Sequence, residues 1–140
     1  MTLQDDLIRD EGLRLTPYLD TSKKLTIGVG RNLTDVGITE DEAVTLLQND
    51  IARVTGDLER TFSWYNAAPQ PVKDGLANIC FNCGLGGLLG FQNMLKALAA
   101  QDYATAATEA LNSQWAVQVG DRAKRIAAMF RGDGIGGTDT

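Results

Sequence analysis

Apolar residues recur at three- and four-residue steps over most of the chain, and this spacing predicts helices. The first predicted helix carries Leu3, Leu7 and Ile8 on one face and runs to about Glu11. The second follows a capping-box pattern at 39–42 and carries the apolar series Ala43, Leu46, Leu47, Ile51, Val54 and Leu58. After a break at 67–71, further helices are predicted over 72–83, 91–99 and 102–111 and from about 121 onward. Asp102 and Asp121 are the predicted N-caps of the last two.

One short segment, 25–30, alternates instead of following the helical step, and this pattern predicts a β-strand. Its two faces differ, one carrying Leu25, Ile27 and Val29 and the other Thr26, Gly28 and Gly30. The second face is bare apart from one hydroxyl, so it leaves room for a ligand to approach. Because Pro17 blocks a helix upstream and 21–24 is a polar turn, the segment belongs to a hairpin. The predicted fold class is therefore α+β, mostly helical with a small N-terminal β-hairpin lobe.

Composition narrows the possible chemistry of this single domain of 140 residues. The chain has 13 basic and 18 acidic side chains, a net charge of −5, and no histidine. The acidic balance argues against broad nucleic-acid binding, which needs an excess of Lys and Arg along one face. Without histidine there is no Ser-His-Asp or Cys-His arrangement, so acid–base chemistry must use carboxylates.

The sequence shows no targeting or membrane-spanning segment. No apolar run approaches the ~18 residues of a membrane-spanning helix, and the acidic N-terminus lacks the basic and apolar regions of a signal peptide. We therefore expect neither membrane association nor export by its own signal, and we expect a monomer. The segment 132–140 is rich in glycine and is expected to be flexible.

Cys80 and Cys83 form a C-x-x-C pair, which invites a redox or zinc interpretation. The pair also continues a helical stripe with Leu76 and Ile79, which is typical of small core residues. Zinc would need further ligands, and the chain has no other cysteine and no histidine. The core interpretation is favoured, and no metal site is predicted.

The densest candidate site is formed by Glu11, Asp20 and Thr26. Glu11 would lie at a helix C-terminus, where the macrodipole disfavours a negative charge and so favours a protonated acid. Asp20 lies beside a tight turn and is expected to stay ionised. Two carboxyl groups in unlike environments are what glycoside hydrolysis requires, and Thr26 could hold a water molecule. With 18 acidic residues, however, such a spacing also arises by chance.

A basic cluster at 122–125 is, on its own, typical of a solvated helix face.

The run from Arg9 to Thr21, followed by 25–30, closely resembles the T-even and lambdoid phage lysozymes, the endolysins of glycoside hydrolase family 24. The family pattern of Glu, eight residues, Asp, five residues and Thr falls on Glu11, Asp20 and Thr26. Later landmarks agree in order, namely 81–84, Gly90-Phe91, 113–115 and 122–125. The resemblance covers about residues 3 to 131.

The resemblance implies a lysozyme-like fold of two lobes. The small lobe spans about 12–38, and the helical lobe consists of about 62–131 together with the N-terminal helix. It implies hydrolysis of the β-1,4 bond between N-acetylmuramic acid and N-acetylglucosamine in peptidoglycan, with inversion and without a cofactor. Glu11 would be the general acid, and Asp20 and Thr26 would hold the attacking water.

Supporting roles also follow from the resemblance. Arg122 would lie against Glu11, and Arg125 would pair with Asp10. Asn82 is a candidate for binding sugar amide or hydroxyl groups, and Gly28 and Gly30 for the open face that substrate approaches.

Two alternatives stay open at this point. A lytic transglycosylase cleaves the same bond without water, commonly with one acid, so the pair of Asp20 and Thr26 favours hydrolysis. A peptidoglycan-binding module that has lost catalysis is the other alternative, and retention of all three residue types argues against it. Without an export signal, we expect the protein in the host cytoplasm until a separate pore-forming protein releases it to the cell wall in the periplasm.

Overall fold

The computed structural model describes residues 1–132, in which helices predominate and a small antiparallel sheet lies near the start. In chain order the elements are α1 (Leu3–Glu11), β1 (Arg14–Leu19), β2 (Leu25–Gly28), β3 (Arg31–Asn32), α2 (Glu40–Thr61), a 3-10 turn (Tyr65–Ala67), α3 (Gln70–Leu89), α4 (Gln92–Ala99), α5 (Tyr103–Leu111), α6 (Gln114–Val119) and α7 (Asp121–Arg131). The predicted α+β, lysozyme-like fold class is confirmed. The predicted flexible tail lies, from residue 133 on, outside the described residues.

Two compact units make up the chain, the first spanning Met1–Leu47 and the second starting at Gln48. The boundary falls within α2, so one continuous helix belongs to both units. The lobe limits expected from the sequence, with the N-terminal helix assigned to the helical lobe, stay a prediction.

The first helix ends where the sequence predicts, and a capping box that was not predicted begins it. Thr2 and Asp5 form a capping box, in which each side chain accepts a hydrogen bond from the backbone N–H of the other residue. The helix ends at Glu11 because Gly12 takes φ 80°, and the Gly12 N–H closes the last turn on Ile8 O at 2.8 Å. This termination places Glu11 in the last turn of α1.

The sheet has the order β1-β2-β3, so β2 is the central strand. In its register Thr26 lies opposite Tyr18 on β1 and Asn32 on β3. The predicted alternation through Gly30 is wrong, because β2 ends at Gly28 and the chain turns back so that Ile27 pairs with Arg31. Gly28 and Gly30 have φ values of 70° and 69°, a left-handed conformation that glycine adopts without a steric penalty. Gly28 is thus the last residue of β2, and Val29 and Gly30 form the turn that leads to β3.

The core of the second unit is built largely from α3, α5 and α7, and the apolar stripes predicted from the sequence supply it. Fully buried side chains include Leu58, Leu76, Ile79, Leu88, Met94, Leu98, Ile126 and Phe130. Alanines Ala106, Ala107 and Ala110 give α5 a small-residue face in this core. Gly75 lets α3 approach α7 closely, since a Cβ atom there would lie 2.8 Å from Cε1 of Phe130.

Some of the helix boundaries predicted for the second unit are confirmed and others are wrong. The Asp102 side chain accepts from Thr105 N at 3.2 Å, which confirms this N-cap. Asp121 is wrong as an N-cap, because the chain turns at Gly120 and Asp121 is the first residue of α7. The prediction that the glycines at 84–87 end α3 is also wrong, because the helix bends at Gly84 (φ 76°, ψ 167°) and resumes to Leu89. Ser113 caps α6, a short helix that the sequence did not predict.

The cysteine pair belongs to α3, and Cys80 lies in the core as expected. Cys83 is half-buried against the core, and its Sγ donates to Ile79 O at 3.2 Å. Burial raises the pKa of both thiols above the usual range. This environment is typical of structural cysteines, since a reactive thiol needs the thiolate form.

No helix within residues 1–132 combines the length and the hydrophobicity needed to cross a bilayer.

Gly75→Ala should lower the free energy of unfolding by about 1–2 kcal/mol, because overpacking against the rigid Phe130 ring outweighs the higher helix propensity of alanine. Gly86→Ala, on the same helix, is the matched control. A Cβ atom there meets nothing within 4 Å, so this variant should gain about 0.5–1 kcal/mol. Urea denaturation of both variants measures the difference, and equal stabilities would contradict the close approach of α3 and α7.

Cys80 should react with a thiol reagent much more slowly in the folded protein than in urea, because the side chain is 4% exposed and its thiolate is disfavoured. Titration with Ellman's reagent near pH 7, with and without denaturant, measures both rates. Rapid reaction of both thiols in the folded protein would revive the redox interpretation.

Candidate active site

Glu11 presents its carboxyl group beside the turn between β2 and β3. A Cβ atom at Gly30 would lie 3.4 Å from both Cδ and Oε1 of Glu11. The backbone of this turn therefore lies directly against the carboxyl group, and the left-handed φ of Gly30 disfavours any side chain at that position. The geometry joins two sequence-predicted residues, Glu11 and Gly30, within the first unit. At Gly28 an added Cβ would meet nothing within 4 Å.

Asp20 is held by the main chain of the turn between β1 and β2. Its Oδ1 accepts hydrogen bonds from the backbone N–H groups of Ser22 and Lys24, both at 2.8 Å. The turn is closed further by Lys23 N on Asp20 O and by Asp20 N on Lys24 O, each at 2.9 Å. Lys23 takes φ 63° to complete it. Both side-chain hydrogen bonds that residues 1–132 give to Asp20 end on Oδ1, so Oδ2 is available to a ligand.

Thr26 lies at the centre of the sheet and is 3% exposed. Within residues 1–132, Thr26 is the one buried residue that is classed as polar or charged. Its Oγ1 donates to Lys24 O at 2.9 Å, which satisfies the hydroxyl hydrogen. The hydroxyl oxygen can therefore only accept further hydrogen bonds.

Lys24 links Asp20 to Thr26 through its main chain. Its N–H donates to Asp20 Oδ1, and its C=O accepts from Thr26 Oγ1. The side chains of Asp20 and Thr26 are thus fixed relative to one residue, and both offer acceptor oxygens. A water molecule has two hydrogens to donate, so a pair of acceptors is suited to orienting it.

Arg31 and Glu42 form a second polar contact in the same unit. Nη1 and Nη2 of Arg31 donate to Oε1 and Oε2 of Glu42, both at 2.7 Å. The guanidinium hydrogen bonds, with a further one from Thr39 N, lower the pKa of Glu42 to about 2. This ion pair was not found by sequence reasoning.

The second unit holds three of the predicted site residues. Asn82 on α3 accepts from Trp115 Nε1 through Oδ1 at 2.9 Å, so its amide N–H groups remain for a ligand. Arg122 on α7 donates through Nε to Asn78 Oδ1 at 2.7 Å and through Nη2 to Asn78 O at 3.3 Å. Arg125 is exposed and lines a small cavity with Asn78 and Arg122.

Asp10, expected to pair with Arg125, accepts hydrogen bonds from its neighbour Arg9 at 3.0 and 3.4 Å. The pairings of Arg125 with Asp10 and of Arg122 with Glu11 would join the two units, and they stay predictions.

A polar cleft of about 380 Å³ lies in the second unit and was missed by sequence reasoning. Its lining combines the amide side chains of Gln92, Asn93, Asn112 and Gln114 with Glu109 and the ring of Trp115. These residues come from successive helices and the connections between them, and only Gln114 and Trp115 belong to a segment that the sequence analysis singled out. Within the described part of the chain, no group of three or more Asp, Glu, Cys and His side chains could hold a metal ion.

The model of the phage lysozyme family matches residues 9–131 of this chain. Matches to individual proteins agree. The pre-baseplate central spike protein Gp5 of Enterobacteria phage T4 is 30% identical, over 93% of this chain and 28% of that protein. Probable T4-type lysozyme 2 of Dictyostelium discoideum is 27% identical, over 92% of this chain and 93% of that protein. An endolysin of Acyrthosiphon pisum secondary endosymbiont phage 1 is 33% identical, over 72% and 69% of the two chains.

The fold and the polar site thus belong to a lysozyme-type protein. This chain is a member of the phage lysozyme family, and that membership supports a peptidoglycan hydrolase of the glycosidase type. The chain spans only 28% of the length of the spike protein.

Asp20→Ala should loosen the turn between β1 and β2, because it removes the acceptor of two backbone N–H groups. We expect faster amide hydrogen exchange at Ser22 and Lys24 and a loss of about 1–2 kcal/mol in the free energy of unfolding. Asp20→Asn is the matched variant, since its amide oxygen can still accept both bonds, and it should keep slow exchange. Fast exchange in both variants, or in neither, would contradict the role assigned to Oδ1.

Proposed function

We propose that this protein is a muramidase of the T-even and lambdoid type, in glycoside hydrolase family 24. Its substrate is bacterial peptidoglycan, and the bond cleaved is the β-1,4 bond between N-acetylmuramic acid and N-acetylglucosamine. Family membership supports the class of reaction, and the arrangement of Asp20 and Thr26 around Lys24 is the observation that carries the mechanism.

Glu11 is the general acid. It protonates the glycosidic oxygen that leaves with N-acetylglucosamine, as the bond from that oxygen to C1 of N-acetylmuramic acid breaks. The carboxyl group lies in the last turn of α1, and the backbone of Gly30 lies against one side of it.

Asp20 and Thr26 hold the attacking water. Because the Thr26 hydroxyl already donates to Lys24 O, it accepts one hydrogen of the water, and Asp20 Oδ2 accepts the other. Both hydrogens are then directed at the protein, and an oxygen lone pair is directed away from it. As the new bond from water to C1 forms, Asp20 takes the proton.

Attack by a water molecule on the face opposite the leaving group inverts the configuration at C1. Inversion requires room for that water, and it predicts a separation of roughly 6.5–9.5 Å between the two carboxyl groups. A lytic transglycosylase uses no water, so it would leave the acceptor pair of Asp20 and Thr26 without a task.

Each unit, taken by itself, offers groups that suit a sugar chain. Gly30 places no side chain beside Glu11, and the free amide N–H groups of Asn82 suit carbonyl or hydroxyl groups of the sugars. The amide-rich cleft near Trp115 extends the set of groups able to bind an N-acetylated chain.

The biological role we propose is lysis of the host cell, for which the endolysin relative is the supporting observation. The protein acts as a monomer, needs no cofactor, and stays in the host cytoplasm until a separate pore-forming protein releases it. The similarity to a spike protein favours a second candidate, a lysozyme carried by the phage tail. Fractionation of infected cells distinguishes these two roles, since a tail lysozyme would be found in purified phage particles. Periplasmic protein in cells without a pore-forming protein would contradict the release route.

Glu11→Gln should lower the rate of peptidoglycan cleavage by at least about 10²-fold, because it removes the transferable proton. Asp20→Asn should lower it similarly while keeping the turn. Glu59→Gln, an equivalent change of an exposed residue on α2, should leave the rate unchanged. Mass spectrometry of the released fragments identifies the reaction, and reducing N-acetylmuramic acid ends are the expected product.

Two outcomes would overturn this proposal. Fragments with 1,6-anhydro ends would identify a transglycosylase. Binding to glycan that stays intact would identify a non-catalytic module.

A further inference from the structure

The turn that lies against Glu11 has little sheet structure to hold it. Strand β3 has only two residues, and the loop that joins β2 to β3 consists of Val29 and Gly30. Glycines with positive φ at both ends of the turn add conformational freedom in the unfolded chain and little restraint in the folded one. Some other contact must therefore fix the position of Gly30 beside the carboxyl group.

Arg31, the residue after Gly30, makes that contact. Its guanidinium donates to Glu42 through two parallel hydrogen bonds of 2.7 Å and to Gly37 O through a third of 3.1 Å. A planar fork paired with a carboxylate fixes direction as well as distance. The side chain of Arg31 thus ties the start of β3 to the start of α2.

Glu42 is itself anchored. Its Oε1 accepts from Thr39 N at 2.8 Å, and its own N–H donates to Thr39 Oγ1 at 3.1 Å, which is a capping box at the N-terminus of α2. Arg31 therefore binds a carboxylate that the helix already holds in place. Because the pKa of Glu42 is lowered to about 2, the pair stays ionised at any pH at which the protein would work.

We propose that Arg31 is a positioning residue that, by its contacts with Glu42 and Gly37, holds the Gly28–Gly30 turn against the Glu11 carboxyl. The inference rests on the proposed role of Glu11 as the general acid. Arg31 itself touches no reacting atom. It acts on the chemical step by fixing the position of the Gly30 backbone beside the Glu11 carboxyl group. Misplacement of a catalytic group by about 1 Å costs up to ~10²-fold in rate.

The experiment is a double-mutant cycle with Arg31→Gln and Glu42→Gln, assayed on soluble, uncross-linked peptidoglycan chains. In the Glu42→Gln variant the amide oxygen of the new side chain can still accept from Thr39 N, so the helix cap is kept while the ion pair is lost. Arg53→Gln is the control for the loss of an arginine, because it removes a single Arg–Asp hydrogen bond of 3.1 Å within α2. Rates are expressed per folded molecule, with folding checked by circular dichroism at the assay temperature.

Each single variant should lower kcat about tenfold and change KM less than twofold. The double variant should fall no further than the singles, because both remove the same contact. Arg31→Lys should recover part of kcat, since an ammonium keeps the charge but not the fork. In ¹H–¹⁵N spectra the amide signals of Gly28 and Gly30 should shift in the variants, whereas a role confined to stability would leave both kcat and these signals unchanged.

The proposal is overturned if Arg31→Gln keeps kcat within twofold of the wild type, or if the effects of the two single variants simply add. A wild-type protein that does not cleave peptidoglycan would instead refute the proposed function. In that case the amide shifts of Gly28 and Gly30 would still decide whether Arg31 holds the turn.

Discussion

The peptide groups of one residue, Lys24, organise the candidate site. Its N–H donates to Asp20 Oδ1 and its C=O accepts from Thr26 Oγ1. The main chain of Lys24 therefore fixes the positions of both side chains relative to each other. Thr26 lies buried on the central strand and pairs with a strand on each side, so the contact with Lys24 also attaches this arrangement to the sheet. A site built in this way is pre-organised by the same hydrogen bonds that close the hairpin.

Local patterns were sufficient to predict much of this architecture. The spacing of Leu3, Leu7 and Ile8 predicted a helix that runs to about Glu11, because this signal lies within a few neighbouring residues. The capping pattern at 39–42 located the start of α2 for the same reason. The trio of Glu11, Asp20 and Thr26 came from spacing and from a resemblance rather than from geometry.

What the sequence did not reveal depends on contacts between distant residues or on backbone conformation. Alternation alone could not show that the strand ends at Gly28, because an apolar residue at 29 continues the pattern whether or not the chain turns. Arg31 and Glu42 are eleven residues apart, and Arg122 lies 44 residues from its partner Asn78. Charged residues are common enough in this chain that no single pairing could be chosen without the fold.

The use of main-chain rather than side-chain groups around Asp20 has an evolutionary consequence. Ser22 and Lys24 hold the carboxylate through amide hydrogens that every residue but proline carries, so substitutions at these positions leave the acceptor geometry intact. The sequence of the turn can therefore change, acquiring or losing charge, while the position of the Asp20 carboxylate is kept. Selection on such a turn acts on backbone shape rather than on the identity of the side chains at positions 22 and 24.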